Sequence, residues 1–153
     1  MNYDMIRRWN DVVKPDDHVW YLGDFAMGDH EVWPKYLARL NGRISLVLGN
    51  HDKGRQTMLD TGFAEVHENV IVEVDGYRLW LNHYPPESAV DPAYRRPKHE
   101  RPPAPGPYDI ALCGHVHQRW TVFDSIVNVG VDRWEFRPVS VARICEALLT
   151  SVE

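Results

Sequence analysis

Apolar residues recur at helical spacing from the first turn of the chain. Met5, Ile6, Trp9, Val12 and Val13 fall on one face and Lys14-Pro15 stops the pattern, which predicts a helix over Asn2–Val13. After a turn at Asp16-Asp17, the β-rich run Val19-Trp20-Tyr21-Leu22 ends at Gly23-Asp24. Trp33, Leu37 and Leu40 restore the helical period over Glu31–Leu40, with Asn41-Gly42 as its cap pair. Ile44–Leu48 is a second buried strand, stopping at Gly49-Asn50, and a short helix is predicted near Arg55–Asp60.

Two further strands, Asn69–Val74 and Tyr77–Asn82, flank Asp75-Gly76, a dipeptide that favours two-residue hairpin turns. The second of them runs into His83. Ile110–Cys113 is a strand that stops at Gly114-His115, and Arg119–Phe123 with Ile126–Val129 reads as a hairpin around Asp124-Ser125. Ser140 caps a last helix carrying Val141, Ile144, Cys145, Leu148 and Leu149. Between these elements, Pro85–Pro107 holds eight of the eleven prolines together with Arg95, Arg96, Lys98 and Arg101. That stretch reads as a solvated loop in preference to a lid that meets phosphate. Helices alternate with strands early and strands follow in a run, so the predicted class is α/β with mixed sheets.

Composition narrows the picture. A length of 153 residues predicts one domain, residues 1–153, long enough to bury a core. Hydrophobic residues at 44% and charged residues at 25% exclude disordered and collagen-like classes. No apolar run approaches the ~20 residues of a membrane span. Met1-Asn2-Tyr3-Asp4 lacks the order of a secretory signal. Two cysteines, Cys113 and Cys145, are too few for a disulfide framework, so a reducing, cytoplasmic setting is expected. Cys113, inside a strand, reads as a buried small hydrophobe. The net charge of −5 disfavours a duplex-binding module, and no membrane partner is expected. A small anionic substrate stays open, because a bound metal ion supplies positive field locally.

The chemistry gathers at four strand ends: Gly23-Asp24, Gly49-Asn50-His51-Asp52, Asn82-His83 and Gly114-His115-Val116-His117. Ligands of open α/β sheets bind at the carboxyl ends of strands, and glycine lets the backbone turn sharply there. A carboxylate, an amide oxygen and neutral imidazoles suit Mn²⁺, Fe or Zn²⁺. In an extended chain His115 and His117 point the same way. Each cluster alone is also an ordinary polar turn; the ordered set is what argues for a metal centre. Asp52 has two readings, orienting His51 or capping the helix that follows. His18, His30, His67 and His99 fit no motif and are expected in solvated or packed roles.

Gly-Asp, Gly-Asn-His-Asp, a lone His and Gly-His-x-His, in that order, resemble the calcineurin-like metallophosphoesterases, particularly their small bacterial members. Trp20-Tyr21-Leu22-Gly23-Asp24-Phe25, Asn82-His83-Tyr84-Pro85 and Asn128-Val129-Gly130-Val131-Asp132 carry the likeness along most of the chain. The resemblance implies a four-layer α/β/β/α sandwich of two mixed sheets flanked by helices. It implies that Asp24 bridges two divalent metal ions, Mn²⁺ or else Fe or Zn²⁺. Asn50, His83 and His115 would complete the second metal site, and His117 would belong to the first. It implies His51 as general acid, with Asp52 beside it. A metal-bound hydroxide would attack a phosphate mono- or diester of a phosphorylated small molecule or nucleotide-like substrate. A nuclease is possible on family grounds but disfavoured by the acidic balance. Asn128 and Asp132 would hold the rim loops. The tryptophans read as packing residues, with Trp134 the one considered for a substrate pocket.

The family carries Asp-x-His on a strand ahead of its first helix, and nothing precedes the helix Asn2–Val13 to match it. The first strand is therefore expected to be missing. The first metal site would then keep only Asp24 and His117, giving one metal instead of two; Asp4 is a disfavoured substitute ligand, because it stands at the start of a helix. Three readings follow: a misplaced start, a truncated enzyme, or a catalytically impaired member acting as a binding or scaffold protein.

Overall fold

Helix α1 (Tyr3–Val12) buries Ile6 and Trp9, neighbours on the apolar stripe, and Val13 just beyond it is buried too. The computed structural model describes residues 3–25, 28–86, 103–114 and 120–151. Strand β1 (His18–Tyr21) follows. The helix predicted over Glu31–Leu40 is shorter than expected: a 3-10 turn, His30–Val32, leads into α2 (Trp33–Leu37). Pro34 accounts for the late start. It has no N–H to donate, and in an α-helix running from Glu31 its ring would press on the carbonyl of the preceding turn. Strand β2 (Arg43–Val47) is buried after its first residue, and α3 (Arg55–Thr61) ends at Gly62 with φ +122°. The two-residue strand β3 (Val66–His67) was not anticipated; it is too short to show a period.

Strands β1, β2 and β3 form a parallel sheet in that order, with Val19 opposite Ile44 and Leu46 opposite Val66. The second sheet has five strands: β4 (Val70–Val74), β5 (Tyr77–Leu81), β6 (Ile110–Cys113), β7 (Val122–Phe123) and β8 (Ile126–Asn128). Their order is β4-β5-β6-β8-β7. Its two hairpins are antiparallel, and β6 runs parallel to both β5 and β8, so this sheet alone is mixed. The β4–β5 turn has positive φ at both Asp75 (+52°) and Gly76 (+83°), the twist that suits a two-residue hairpin.

Alternation along the strands sets the layers. Ile44 and Leu46 face the helices, packing with Ile6, Trp9, Trp33, Leu37 and Met58. Val47 and Leu22 lie in the core with Leu79, Leu81, Ile110, Leu112 and Val127 of the mixed sheet. The opposite face of the mixed sheet carries Trp80, Ala111, Cys113 and Ile126. Among the described residues Ala104, Tyr108 and Trp120 pack on that face, and the Trp80 and Tyr108 ring centroids are 5.0 Å apart. Helix α4 (Val141–Ser151) adds Ile144 to the core between the sheets. The Arg143 N–H donates to Ser140 Oγ at 3.3 Å, the cap expected there. No helix among the described residues is long and apolar enough to cross a membrane.

Candidate metal centre

The ends of β1, β2, β5 and β6 converge. Gly114, after β6, donates its N–H to the His83 carbonyl at 3.1 Å. The loop after β1 meets the loop after β2 so closely that a Cβ on Gly23 would lie 2.6 Å from both the Gly49 nitrogen and His83 Nδ1. A Cβ on Gly49 would lie 2.6 Å from the Asp24 nitrogen. Only glycine fits either place, and Gly23 also has φ +95°.

Asp52 holds this contact together. Its carboxylate accepts N–H bonds from Gly49 and Asp24 at 2.8 Å and from Phe25 at 2.9 Å. One side chain thus ties the β1 loop to the β2 loop through three charge-assisted bonds. This corrects the capping reading: the residue before α3 is Gly54, with no side-chain cap. Its carboxylate therefore acts as a positioning group for the two loops.

His83 is buried, and its Nδ1 lies 2.7 Å from the Leu22 carbonyl. A carbonyl only accepts, so the Nδ1 proton is fixed there and the tautomer with it. The other nitrogen, Nε2, faces two oxygens, Asn50 Oδ1 at 3.1 Å and Asp24 Oδ2 at 3.4 Å. Two side-chain oxygens and an imidazole lone pair directed at one point suit a positive centre, a proton or a cation. The other oxygen of Asp24 accepts the His51 N–H at 2.8 Å. Burial of the Asp24 carboxyl works to raise its pKa; a bond and charge from His83 in its protonated form, together with the His51 amide, outweigh it and hold the pKa below the ordinary value. Asp24 itself sits at φ +56°. The His51 side chain is exposed at the rim.

Asp24, Asn50 and His83 are therefore brought together, and they suit one divalent cation. His115 and His117 lie outside the described residues, as do Arg95, Arg96, Lys98, His99 and Arg101. Among the described residues no group of three or more His, Cys, Asp or Glu side chains forms a metal cluster. Asp4 lies on the surface of α1, engaged by Arg7 at 2.7 Å and Arg8 at 2.8 Å. Asp16-Asp17-His18 has Asp-x-His spacing but stands at the start of β1, away from the rim.

Asn128 is fully buried; it accepts the Gly130 N–H and donates to the Trp120 carbonyl, both at 2.9 Å, which holds the loop after β8. Trp134 is a core residue and not a pocket wall; its indole N–H donates to the Asn128 carbonyl at 2.8 Å. Cys113 is buried, and burial pushes its thiol up to about 12, consistent with a packing role. The Leu22 carbonyl that sets the His83 tautomer carries no side-chain signature. The three amides gathered by Asp52 are equally silent in sequence, although the glycines at 23 and 49 signal a close approach.

Residues 1–138 match the model of the calcineurin-like phosphoesterase superfamily domain. A solved structure from Aquifex aeolicus, described as a protein of unknown function, superposes with a TM-score of 0.70 at 27% identity, covering 94% of this chain and 83% of that one. A structure described as a novel archaeal phosphodiesterase superposes with a TM-score of 0.52 at 25% identity, covering 83% of this chain and 76% of that one. An uncharacterised protein of Methanocaldococcus jannaschii is 34% identical over 90 residues, 58% of this chain and 45% of that protein. The chain thus matches less than half the length of that relative.

Proposed function

The chain belongs to the calcineurin-like phosphoesterase superfamily, and from that premise we propose that it hydrolyses phosphate mono- or diesters with a divalent cation held by Asp24, Asn50 and His83. The observation that carries this reading is His83: its tautomer is set by Leu22, and its remaining nitrogen meets the oxygens of Asp24 and Asn50. When bound, a divalent cation such as Mn²⁺ supplies Lewis acidity and positive charge to a phosphoryl group. His115 and His117 join the reading as further ligands on the strength of the sequence motif.

The protein's own groups do the rest. Asp24 stays ionised, so its charge is available to the site at neutral pH. His83 contributes a lone pair of fixed direction. Asp52 positions both loops, so the donors need little rearrangement on binding. In this reading His51, exposed beside Asp24, gives a proton to the departing oxygen of a small-molecule or nucleotide-like ester.

The test is Mn²⁺-stimulated release of p-nitrophenolate from bis(p-nitrophenyl) phosphate and p-nitrophenyl phosphate. Activity should disappear in His83→Ala and in Asp24→Asn, and full activity in either variant would overturn the assignment. Mn²⁺ binding at Asp24 and His83 without turnover would favour a binding module that keeps the fold.

A further inference from the structure

The mixed sheet ends in two edge strands, β4 and β7. A bare edge invites further pairing, and proteins blunt it by shortening the strand, by placing a lysine or proline on it, or by a bulge. β7 is blunted by length, being two residues long. β4, Val70-Ile71-Val72-Glu73-Val74, has none of these devices. It carries no lysine or proline and pairs with β5 at five consecutive positions without a bulge. Its four β-branched residues are half-buried and Glu73 is exposed.

The direction of its free backbone groups follows from its neighbour. Arg78 turns both of its backbone groups toward β6: its carbonyl accepts the Asp109 N–H at 2.8 Å, and its N–H donates to Asp109 Oδ2 at 2.8 Å. Glu73, opposite Arg78, therefore makes no ladder bond with it. The Asp75-Gly76 turn agrees. Val74 and Tyr77, which flank it, form a hydrogen-bonded pair, and such pairs alternate along an antiparallel ladder. The N–H and C=O of Glu73, and by alternation those of Ile71, point away from β5 and have no backbone partner among the described residues.

This edge is complementary to itself. A second β4 laid antiparallel about a two-fold axis at Val72 sets Ile71 opposite Glu73 of the other copy, and each outward N–H meets an outward C=O. The two Glu73 carboxylates are not set opposite one another, and each stays across from its own Arg78. On the other face Val72 meets Val72 and Val70 meets Val74, so the apolar row that packs against the core between the sheets continues into the second copy. An axis at Glu73 would oppose like charges, and every other register leaves part of the strand unpaired. A strand of a different protein would satisfy the backbone equally well; the two-fold match of charges and apolar rows is what favours a second copy.

We propose that the chain forms a two-fold dimer in which the β4 edges pair antiparallel about Val72, joining the two mixed sheets into one. This pairing does not depend on the phosphoesterase reading.

Light scattering on the wild type as it elutes from a sizing column should give twice the 17.8 kDa mass of the chain. Glu73→Pro removes an outward N–H and no bond of the β4–β5 ladder, a place where an edge strand tolerates proline. It should keep the circular dichroism of the wild type and elute as a monomer. Val72→Cys tests the register. Two-fold partners in a non-hydrogen-bonded pair have Cα atoms about 4.5 Å apart, within disulfide range. Mild oxidation should therefore trap a covalent dimer of Val72→Cys and not of Val70→Cys, whose two copies are offset along the strands; the wild type, with Cys113 and Cys145, sets the background. A wild type that is monomeric at every concentration overturns the proposal, as does a dimer that survives Glu73→Pro. Trapping at both positions or at neither overturns it too, and open-ended assemblies overturn the two-fold closure. If Glu73→Pro does not fold, the mass of the wild type and the two cysteine variants decide.

Discussion

Strands β1, β2 and β3 carry two polar clusters, and the two are balanced differently. At the rim, Asp24 Oδ2, Asn50 Oδ1 and His83 Nε2 converge on one point. Toward the starting ends of the strands, His18 Nε2 contacts Ser45 Oγ at 2.8 Å, and Arg43 lies 3.3 Å from Glu65. His67 lies 3.3 Å from the other oxygen of Glu65. That second cluster supplies its own cation: the carboxylate has a guanidinium, and each histidine has a partner. Histidines and carboxylates occur in both places, so composition does not tell a site from a structural network. The convergence of two side-chain oxygens on one imidazole nitrogen does.

The largest effect that separates the two clusters is on activity. Asp24→Asn or His83→Ala should lower Mn²⁺-dependent phosphoesterase activity by about a thousandfold or more, equivalent to roughly 4 kcal/mol of transition-state stabilisation. Glu65→Gln should leave it within about twofold, because solvent-exposed ion pairs contribute little and Glu65 is paired with Arg43 and His67. A comparable loss in Glu65→Gln would remove the distinction.

Asp52→Ala comes next. Bonds to a charged group contribute about 1.5–3 kcal/mol each, so losing three should cost about 3 kcal/mol or more after relaxation. A thermal melt should show Tm lower by about 6–12 °C, with activity falling alongside. A variant that melts like the wild type would show that the two loops do not depend on that carboxylate.

His51→Ala should keep Tm, because the side chain is exposed. It should slow esters with poor leaving groups by about 10²- to 10⁴-fold and p-nitrophenyl esters far less. An equal loss for every leaving group would count against proton donation by His51.

The smallest effect is a pH dependence at the structural cluster. Burial first, and then the charge of Arg43, lower the His18 pKa below its ordinary 6.5, against a weaker opposing pull from Glu65. The native state therefore favours neutral His18, and the unfolded chain binds the proton more readily. This contribution to stability is whole above about pH 6.5 and declines as pH falls below it. Tm measured without metal between pH 7 and 5 should fall less steeply in His18→Gln than in the wild type. Identical slopes would show that His18 carries none of the dependence.

Much of the fold was legible because local chemistry and tertiary packing agree. Asp75-Gly76 makes its hairpin, Ile110–Cys113 is the strand expected with those bounds, and the stripe Ile6-Trp9-Val13 is the buried face of α1. The α/β class and the pair of sheets follow from the order of those elements. What was illegible depended on partners distant in sequence. Pro34 divides a helix that periodicity drew as one, β3 exists only by pairing with β2, and Trp134 is buried by a core that no local pattern reveals. In the site, Asp24, Asn50 and His83 were readable because glycine or a strand end marks each of them. The task of Asp52 was not, since its acceptors serve the backbone of residues up to 28 positions away. The same holds for the tautomer of His83, which is set by the Leu22 carbonyl 61 positions away.

The central claim is that the rim holds a divalent cation through Asp24, Asn50 and His83. Calorimetric titration of metal-free protein with Mn²⁺, beside His83→Ala, tests it most directly. The wild-type chain should bind at least one stoichiometric Mn²⁺, and the variant should lose it. No binding to a folded wild type, or equal binding to His83→Ala, would contradict it.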